Sequence, residues 1–237
     1  MTSRSTKLIA AIDTADINQA RKWVSALEDS VDAIKLGLEF TYGCGLEAVK
    51  DLSQNQRLFL DLKLHDIPNT VASGLRSLLN NLSPELLTVH ALGGPEMIER
   101  SREAIEQKTS TSQTRPKLLA VTILTSMNQQ TLNAVGIADT PLDQVIRLGK
   151  MAIKAGADGL VCSAHEITAL RDALGENALL VVPGIRPKGN QADDQQRVMT
   201  PAQAAQAGAD WIVVGRPITK AADPAQAARA IKAELQL

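Results

Sequence analysis

Eight short apolar runs, recurring about every 30 residues and separated by stretches of helical period, predict an α/β fold of the (β/α)8 (TIM) barrel type. The runs are nearly continuous in Leu, Ile, Val and Ala, the pattern of parallel strands buried on both faces. Polar and charged residues then gather at the C-terminal ends of these runs, where such a barrel carries its chemistry. The alternative, an open doubly wound sheet, is weakened because no G-x-G-x-x-G follows the first run.

The first strand is read over 7–13 (KLIAAID) and closes on Asp13. An amphipathic stretch over 17–29 (INQARKWVSALED) leads to a second strand over 32–37 (DAIKLG), with Lys35 near its end. The third strand, 57–63 (RLFLDLK), ends on Asp61 and Lys63, and the fourth, 86–91 (LLTVHA), ends on His90. A helix over 95–107 (PEMIERSREAIEQ) precedes the fifth strand, 118–124 (LLAVTIL), after which come Thr125 and Ser126. A helix over 141–156 leads to the sixth strand, 159–164 (GLVCSA). The seventh, 179–185 (LLVVPGI), is followed by Arg186, and the eighth, 211–216 (WIVVGR), closes on Arg216.

Pro95, Pro141, Pro201 and Pro224 each stand where a helix would begin, a position that tolerates the missing N–H. One frame recurs: KAGADGLVCSA (154–164) and QAGADWIVVGR (206–216) share Ala-Gly-Ala-Asp before an apolar run. Gly156 and Gly208 read as generic helix-to-strand turns in the left-handed conformation.

Composition narrows the function classes. Of 237 residues 44% are apolar and 22% charged, with a net charge of −1, which suits a globular protein with a sizeable core. Residues 1–237 are read as one barrel domain. Aromatics are only 2%, so aliphatic side chains must fill that core. No basic patch or run of like charge supports binding to nucleic acid or a membrane surface. The N-terminal apolar run before Asp13 is too short for a signal peptide or a membrane span. Cys44 and Cys162 lie far apart without a C-x-x-C spacing, so neither a disulfide framework nor a zinc site is indicated. A cytoplasmic enzyme is the default expectation.

Two residues apart on a strand, Asp61 and Lys63 project to the same side, which in the barrel is its interior near the mouth. Buried charges are normally paired, so one reading is a salt bridge that only closes the barrel top. Lys35, brought in by the adjacent strand, favours the other reading: alternating Lys and Asp fix an amine against a substrate. A second clue lies in the loops after strands seven and eight, PGIRPKGNQADDQQRVMTP (183–201) and VVGRPIT (213–219). These loops are the customary phosphate site of the architecture; Gly215 would admit close backbone approach and Arg216 a bidentate contact. His90 reads as a hydrogen-bonded wall residue in preference to a base, and His65 has no assigned role. No cluster of His, Cys and carboxylates has metal-ligand spacing, so no metal is expected.

DLKLHDIPNT (61–70) fits D-x-K-x-x-D and resembles the orotidine 5′-phosphate decarboxylase family. AIDT, IKLG, TVHA, VTILTS, VPGIRP, DDQQRVMTP and VVGRPIT resemble that family's segments in order, so the resemblance spans essentially the whole chain. It implies removal of carbon dioxide from orotidine 5′-phosphate to give uridine 5′-phosphate, with neither cofactor nor metal. It implies that Lys63 is the general acid toward pyrimidine C6, that Asp61 lies beside the substrate carboxylate, and that Lys35 and Asp13 contact ribose hydroxyls. Asp66 and Thr70 would act in the neighbouring subunit's site, so activity would require a homodimer. Thr125 matches the position that reads the pyrimidine amide edge, with Ser126 the alternative. Gln195 would bridge base and phosphate in a loop that closes around 187–196, and Arg186, Gly215 and Arg216 would grip the phosphate.

Two rival functions fit parts of this pattern. A sugar-phosphate decarboxylase or aldolase of the same superfamily would keep D-x-K-x-x-D but use magnesium, with an acid where this chain has Lys35. A non-catalytic nucleotide-binding barrel would have no need of the complete Lys35, Asp61, Lys63 and Asp66 set.

Overall fold

A computed structural model describes residues 5–109, 114–187 and 199–236. Eight parallel strands close into a barrel in sequence order, each paired with the next and β8 returning to β1. They are β1 (Lys7–Ala11), β2 (Ala33–Gly37), β3 (Leu58–Leu64), β4 (Leu86–His90), β5 (Lys117–Val121), β6 (Gly159–Val161), β7 (Leu179–Pro183) and β8 (Trp211–Val214). All eight lie where the apolar runs placed them. Most stop one to three residues short of the sequence reading, because the last residues of each run leave the ladder for the loops at the barrel mouth.

The outer layer contains α1 (Ile17–Leu27), α2 (Leu38–Leu52), α3 (Pro68–Leu79), α4 (Gly94–Lys108), α5 (Gln129–Ala134), α6 (Pro141–Lys154), α7 (Ile167–Leu174), α8 (Pro201–Ala207), α9 (Arg216–Thr219) and α10 (Pro224–Glu234). This is more than one helix per strand. Two helices, α5 and α6, follow β5, and two, α9 and α10, follow β8. The local chemistry sets the starts: Asp16 caps α1 through the Asn18 N–H at 2.8 Å, Thr140 caps α6, and Asp223 caps α10 through the Gln226 N–H at 2.9 Å. Pro141, Pro201 and Pro224 open their helices as expected, Pro95 is the second residue of α4, and Pro68 opens α3.

Strand parity sorts the side chains into two cores. Ile9, Ala11, Ala33, Phe59, Leu86, Leu119, Val181, Trp211 and Val213 fill the barrel, while the opposite parity (Leu8, Ile34, Leu58, Leu60, Leu87, Val89) packs beneath the helices. Each buried Val, Leu, Ile or Phe side chain among them contributes about 1.5–3 kcal/mol. Trp211 closes the lower end of the barrel, with Lys7 Nζ 4.9 Å and Arg57 Cζ 5.3 Å from its ring centroid.

The Ala-Gly-Ala-Asp repeat has a structural purpose beyond the turn. Gly156 (φ 98°) and Gly208 (φ 101°) are left-handed, as the turn requires. Asp158 then accepts the Leu118 N–H of β5 at 2.8 Å, and Asp210 accepts the Leu180 N–H of β7 at 2.7 Å. Asp32 does the same for the Leu8 N–H of β1 at 2.8 Å. Each acid is also met by cations: Arg115 and Arg102 on Asp158, Arg171 on Asp210, Lys232 on Asp32. The repeat fastens neighbouring strands at the N-terminal end and leaves the other end free for chemistry.

Candidate active site

The inward parity that builds the barrel core carries on to its upper rim. On β1 it runs Ile9, Ala11, Asp13; on β2, Ala33, Lys35, Gly37; on β3, Phe59, Asp61; on β8, Trp211, Val213, Gly215. The charges therefore stand one layer above an apolar floor, at the C-terminal mouth. A cavity of about 200 Å3 opens there, lined among others by Lys35, Asp61, Lys63, Thr125, Val161 and Val213.

Four side chains form an alternating line of charge. Lys35 Nζ lies 3.0 Å from Asp13 Oδ1 and 3.8 Å from Asp61 Oδ2. Lys63 Nζ donates to both oxygens of Asp61, at 3.0 and 2.9 Å. Lys35 and Asp61 are nearly enclosed, with side chains 12% and 11% exposed, whereas Lys63 keeps 32% and Asp13 53%. The buried centre of the line is thus charge-compensated, and its two ends reach toward the opening.

The backbone beneath this line is irregular. Lys63 has φ 49°, and among the described residues it alone is a non-glycine with positive φ. Such a conformation costs about 1–2 kcal/mol for an L-residue. The β3–β4 register slips between Leu60 and Leu64: Leu60 pairs with Leu87, Leu64 with Val89. This bulge carries Lys63 out of regular strand geometry and places its ammonium back over Asp61. Thr88, 1% exposed, fills the gap; it accepts the Lys63 N–H at 2.9 Å and donates to Asp61 Oδ1 at 3.0 Å.

Gly37 belongs to the same constellation. A Cβ built there would lie 3.0 Å from Lys35 Nζ and 3.7 Å from Asp13 Oδ1. Glycine leaves the ammonium the room it occupies. Sequence reasoning overlooked both Gly37 and Thr88. The first is hidden at the end of an apolar run, and the second reads as an ordinary β-branched strand residue.

Other expected site residues, among the described ones, fall at the same end. Thr125 lines the cavity and is exposed, as is Ser126 beside it. Gly215 caps α9 at the end of β8, and a Cβ there would sit 3.9 Å from Asp13 Oδ2. Arg216 begins α9. Arg186 follows β7, its N–H donating to Met199 O at 3.1 Å, so the two ends of the 185–199 segment are tied together. Gln195 and the rest of 188–198 lie outside the described residues. Among the described residues, neither Asp66 nor Thr70 makes a hydrogen bond or ion pair with the line of charge. Asp66 accepts the Ile67 N–H at 2.6 Å, both residues are exposed, and Ile67 between them is 67% exposed.

Two histidines border the site. His65 and His90 stack with centroids 5.3 Å apart and planes at 18°, and His90 Nδ1 accepts the Leu92 N–H at 3.3 Å. Burial first, then the charges of His65 and Lys63, push the His90 imidazole below its ordinary value. Cys162, in the cavity wall, is fully buried, and burial pushes its thiol far above the ordinary range. Among the described residues no three His, Cys, Asp or Glu side chains come together as a metal-holding group, and no helix is long and apolar enough to cross a membrane.

The comparisons with known proteins point to one family. Residues 6–231 match the model of the Orotidine 5′-phosphate decarboxylase / HUMPS family. The chain is 67% identical over 233 residues to an orotidine 5′-phosphate decarboxylase of Gluconobacter oxydans, covering 98% of each protein. It is 48% identical to that of Rhodospirillum rubrum, covering 96% of this chain and 93% of the relative. Among solved structures, the orotidine 5′-phosphate decarboxylase of Lactobacillus acidophilus superposes with a TM-score of 0.87 at 39% identity, over 98% of this chain and 100% of that one. A closed barrel with a Lys–Asp line at its mouth, matched over nearly its whole length, leaves one conclusion: the chain belongs to the orotidine 5′-phosphate decarboxylase family.

Proposed function

We propose that the cavity above Phe59 and Val213 binds orotidine 5′-phosphate and decarboxylates it to uridine 5′-phosphate, with Lys63 as proton donor to pyrimidine C6. The observation that carries this reading is the Lys63 ammonium held on both oxygens of Asp61 at the cavity mouth. Heterolysis of the bond between C6 and the carboxylate carbon releases carbon dioxide and leaves the electron pair on C6. A proton from the Lys63 ammonium completes that carbon, and solvent restores the lysine. No carbonyl adjoins C6 to spread the charge, so a fixed cation at that atom is the main source of stabilisation. Asp61, beside the substrate carboxylate, holds Lys63 in place and repels the group that leaves.

Lys35 and Asp13 are assigned to the ribose hydroxyls, and Thr125 to the pyrimidine amide edge. Arg186, Gly215 and Arg216 are assigned to the phosphate. Gly215 stands beside Asp13, a Cβ built there lying 3.9 Å from Asp13 Oδ2, so the groups assigned to phosphate and to ribose are neighbours, which supports a nucleotide. Gln195 is assigned to the bridge between base and phosphate. Binding energy from the phosphate would hold the base against Lys63.

Asp66 and Thr70 are assigned to the site of a second copy of the chain in a homodimer. Their exposure, with Ile67 between them, supports this, as do Leu38, Tyr42 and Leu92, large apolar side chains exposed on neighbouring elements. The test is the fall in pyrimidine absorbance when the purified protein meets orotidine 5′-phosphate. Catalytic conversion to uridine 5′-phosphate is expected, and nucleotide binding without conversion would overturn the reading.

A further inference from the structure

We infer that Thr88 is a positioning residue for the reaction: its one hydroxyl locks both the backbone of Lys63 and the carboxylate that holds the Lys63 ammonium. The inference rests on the decarboxylase reading above and concerns what sets its proton donor in place.

Lys63 meets Asp61 from a backbone that has left the strand conformation, at φ 49°. Leaving the strand takes its N–H out of the regular β3–β4 ladder, whose register is lost between Leu60 and Leu64. A buried N–H without a partner would favour return to the regular ladder. Thr88 Oγ1 accepts that N–H at 2.9 Å. The same hydroxyl has one proton to give, and it gives it to Asp61 Oδ1 at 3.0 Å. Asp61 Oδ1 also receives the Lys63 ammonium at 3.0 Å, so hydroxyl, carboxylate and lysine close a ring through the bulge. Thr88 itself has no freedom: it is buried to 1% exposure in the middle of β4, between Leu87 and Val89, both buried.

Donor and acceptor are both needed, and only a hydroxyl on a short stem supplies both from this position. Valine keeps the shape and loses both bonds; serine keeps both bonds and loses only a methyl. If Thr88 merely filled space, valine would be the better replacement. If it positions the proton donor, serine will be.

The test compares Thr88→Val and Thr88→Ser in the full chain, measuring kcat and KM for orotidine 5′-phosphate, affinity for uridine 5′-phosphate by calorimetry, and the melting temperature. Thr88→Val is expected to lose about a hundredfold in kcat, the scale of a displaced catalytic group, with product affinity within about threefold of the parent. Thr88→Ser is expected to stay within about fivefold of the parent in kcat. Should Thr88→Val not fold, Thr88→Ala takes its place, with the same ordering against serine expected. Parent-like kcat in the valine or alanine variant, equal losses in valine and serine, or a loss confined to KM would each overturn the inference. Lys63→Ala, run alongside, separates the two levels. Loss of turnover in Lys63→Ala with none in Thr88→Val rejects the role of Thr88 alone, whereas retained turnover in Lys63→Ala rejects the proton-donor reading beneath it.

Discussion

Lys63 Nζ and the Asp61 carboxylate meet at 2.9 and 3.0 Å although the two residues are separated by a single residue on a strand that is distorted between them. A regular strand would set two such side chains side by side. The left-handed turn at Lys63 folds the ammonium back onto the acid and holds it over the cavity. An ion pair that only closed a barrel top would not need that turn. Lys35, 3.8 Å beyond Asp61 and 3.0 Å from Asp13, extends the pair into a four-charge line.

Gly37 sets the position of the second lysine. A methyl group there would stand 3.0 Å from Lys35 Nζ, so Gly37→Ala must move the ammonium from Asp13 and Asp61. With Lys35 on the ribose hydroxyls, as proposed, its displacement is expected to raise KM for orotidine 5′-phosphate about tenfold. The melting temperature should change little, because no backbone or core atom lies closer than the flexible lysine tip. Steady-state kinetics with a parallel thermal melt checks both.

Asp66 and Thr70 give the proposed homodimer a functional test. Lys63→Ala and Asp66→Asn are each expected to be inactive as homodimers. After mixing and subunit exchange, a heterodimer carries one site with both residues intact, so about one site in four regains activity. Activity that stays at the level of the separate variants would show that Asp66 serves its own barrel.

Asp158 sets stability and not turnover. Burial alone would raise its carboxyl, but the Arg115 hydrogen bond, the Leu118 N–H and the charges of Arg115 and Arg102 outweigh burial and hold it below its ordinary 3.8. A depressed carboxyl stabilises the fold fully above its unfolded value, and the contribution fades as pH falls below 3.8 toward the folded value. Asp158→Asn is expected to lower stability by about 2 kcal/mol at neutral pH, the scale of losing a part-buried carboxylate's charged hydrogen bonds. Urea melts should find the gap between the two proteins narrowing in acid below 3.8, with kcat per folded molecule unchanged.

The barrel was legible because each strand is an unbroken apolar run between helices with clear starts, such as Pro141 and Pro224. The line Asp13, Lys35, Asp61 and Lys63 was legible for a related reason, since charges at the ends of buried strands are too costly to be idle. Thr88 was hidden because a threonine in LLTVH fits a strand on propensity alone, and its two bonds depend on a bulge in the neighbouring strand. The strand-fastening aspartates were half hidden: the glycines of Ala-Gly-Ala-Asp signalled the turn, while the acids' partners, Leu118 and Leu180, lie 40 and 30 residues upstream. The doubled helices after β5 and β8 escaped a one-helix-per-strand count because α5 and α9 are too short to show a helical period.

Turnover of Lys63→Ala on orotidine 5′-phosphate, measured with the variant's affinity for uridine 5′-phosphate, tests the proton-donor role most directly. Loss of turnover by about three orders of magnitude or more, with the nucleotide still bound, is the expected result. Near-parental turnover in that variant would contradict it.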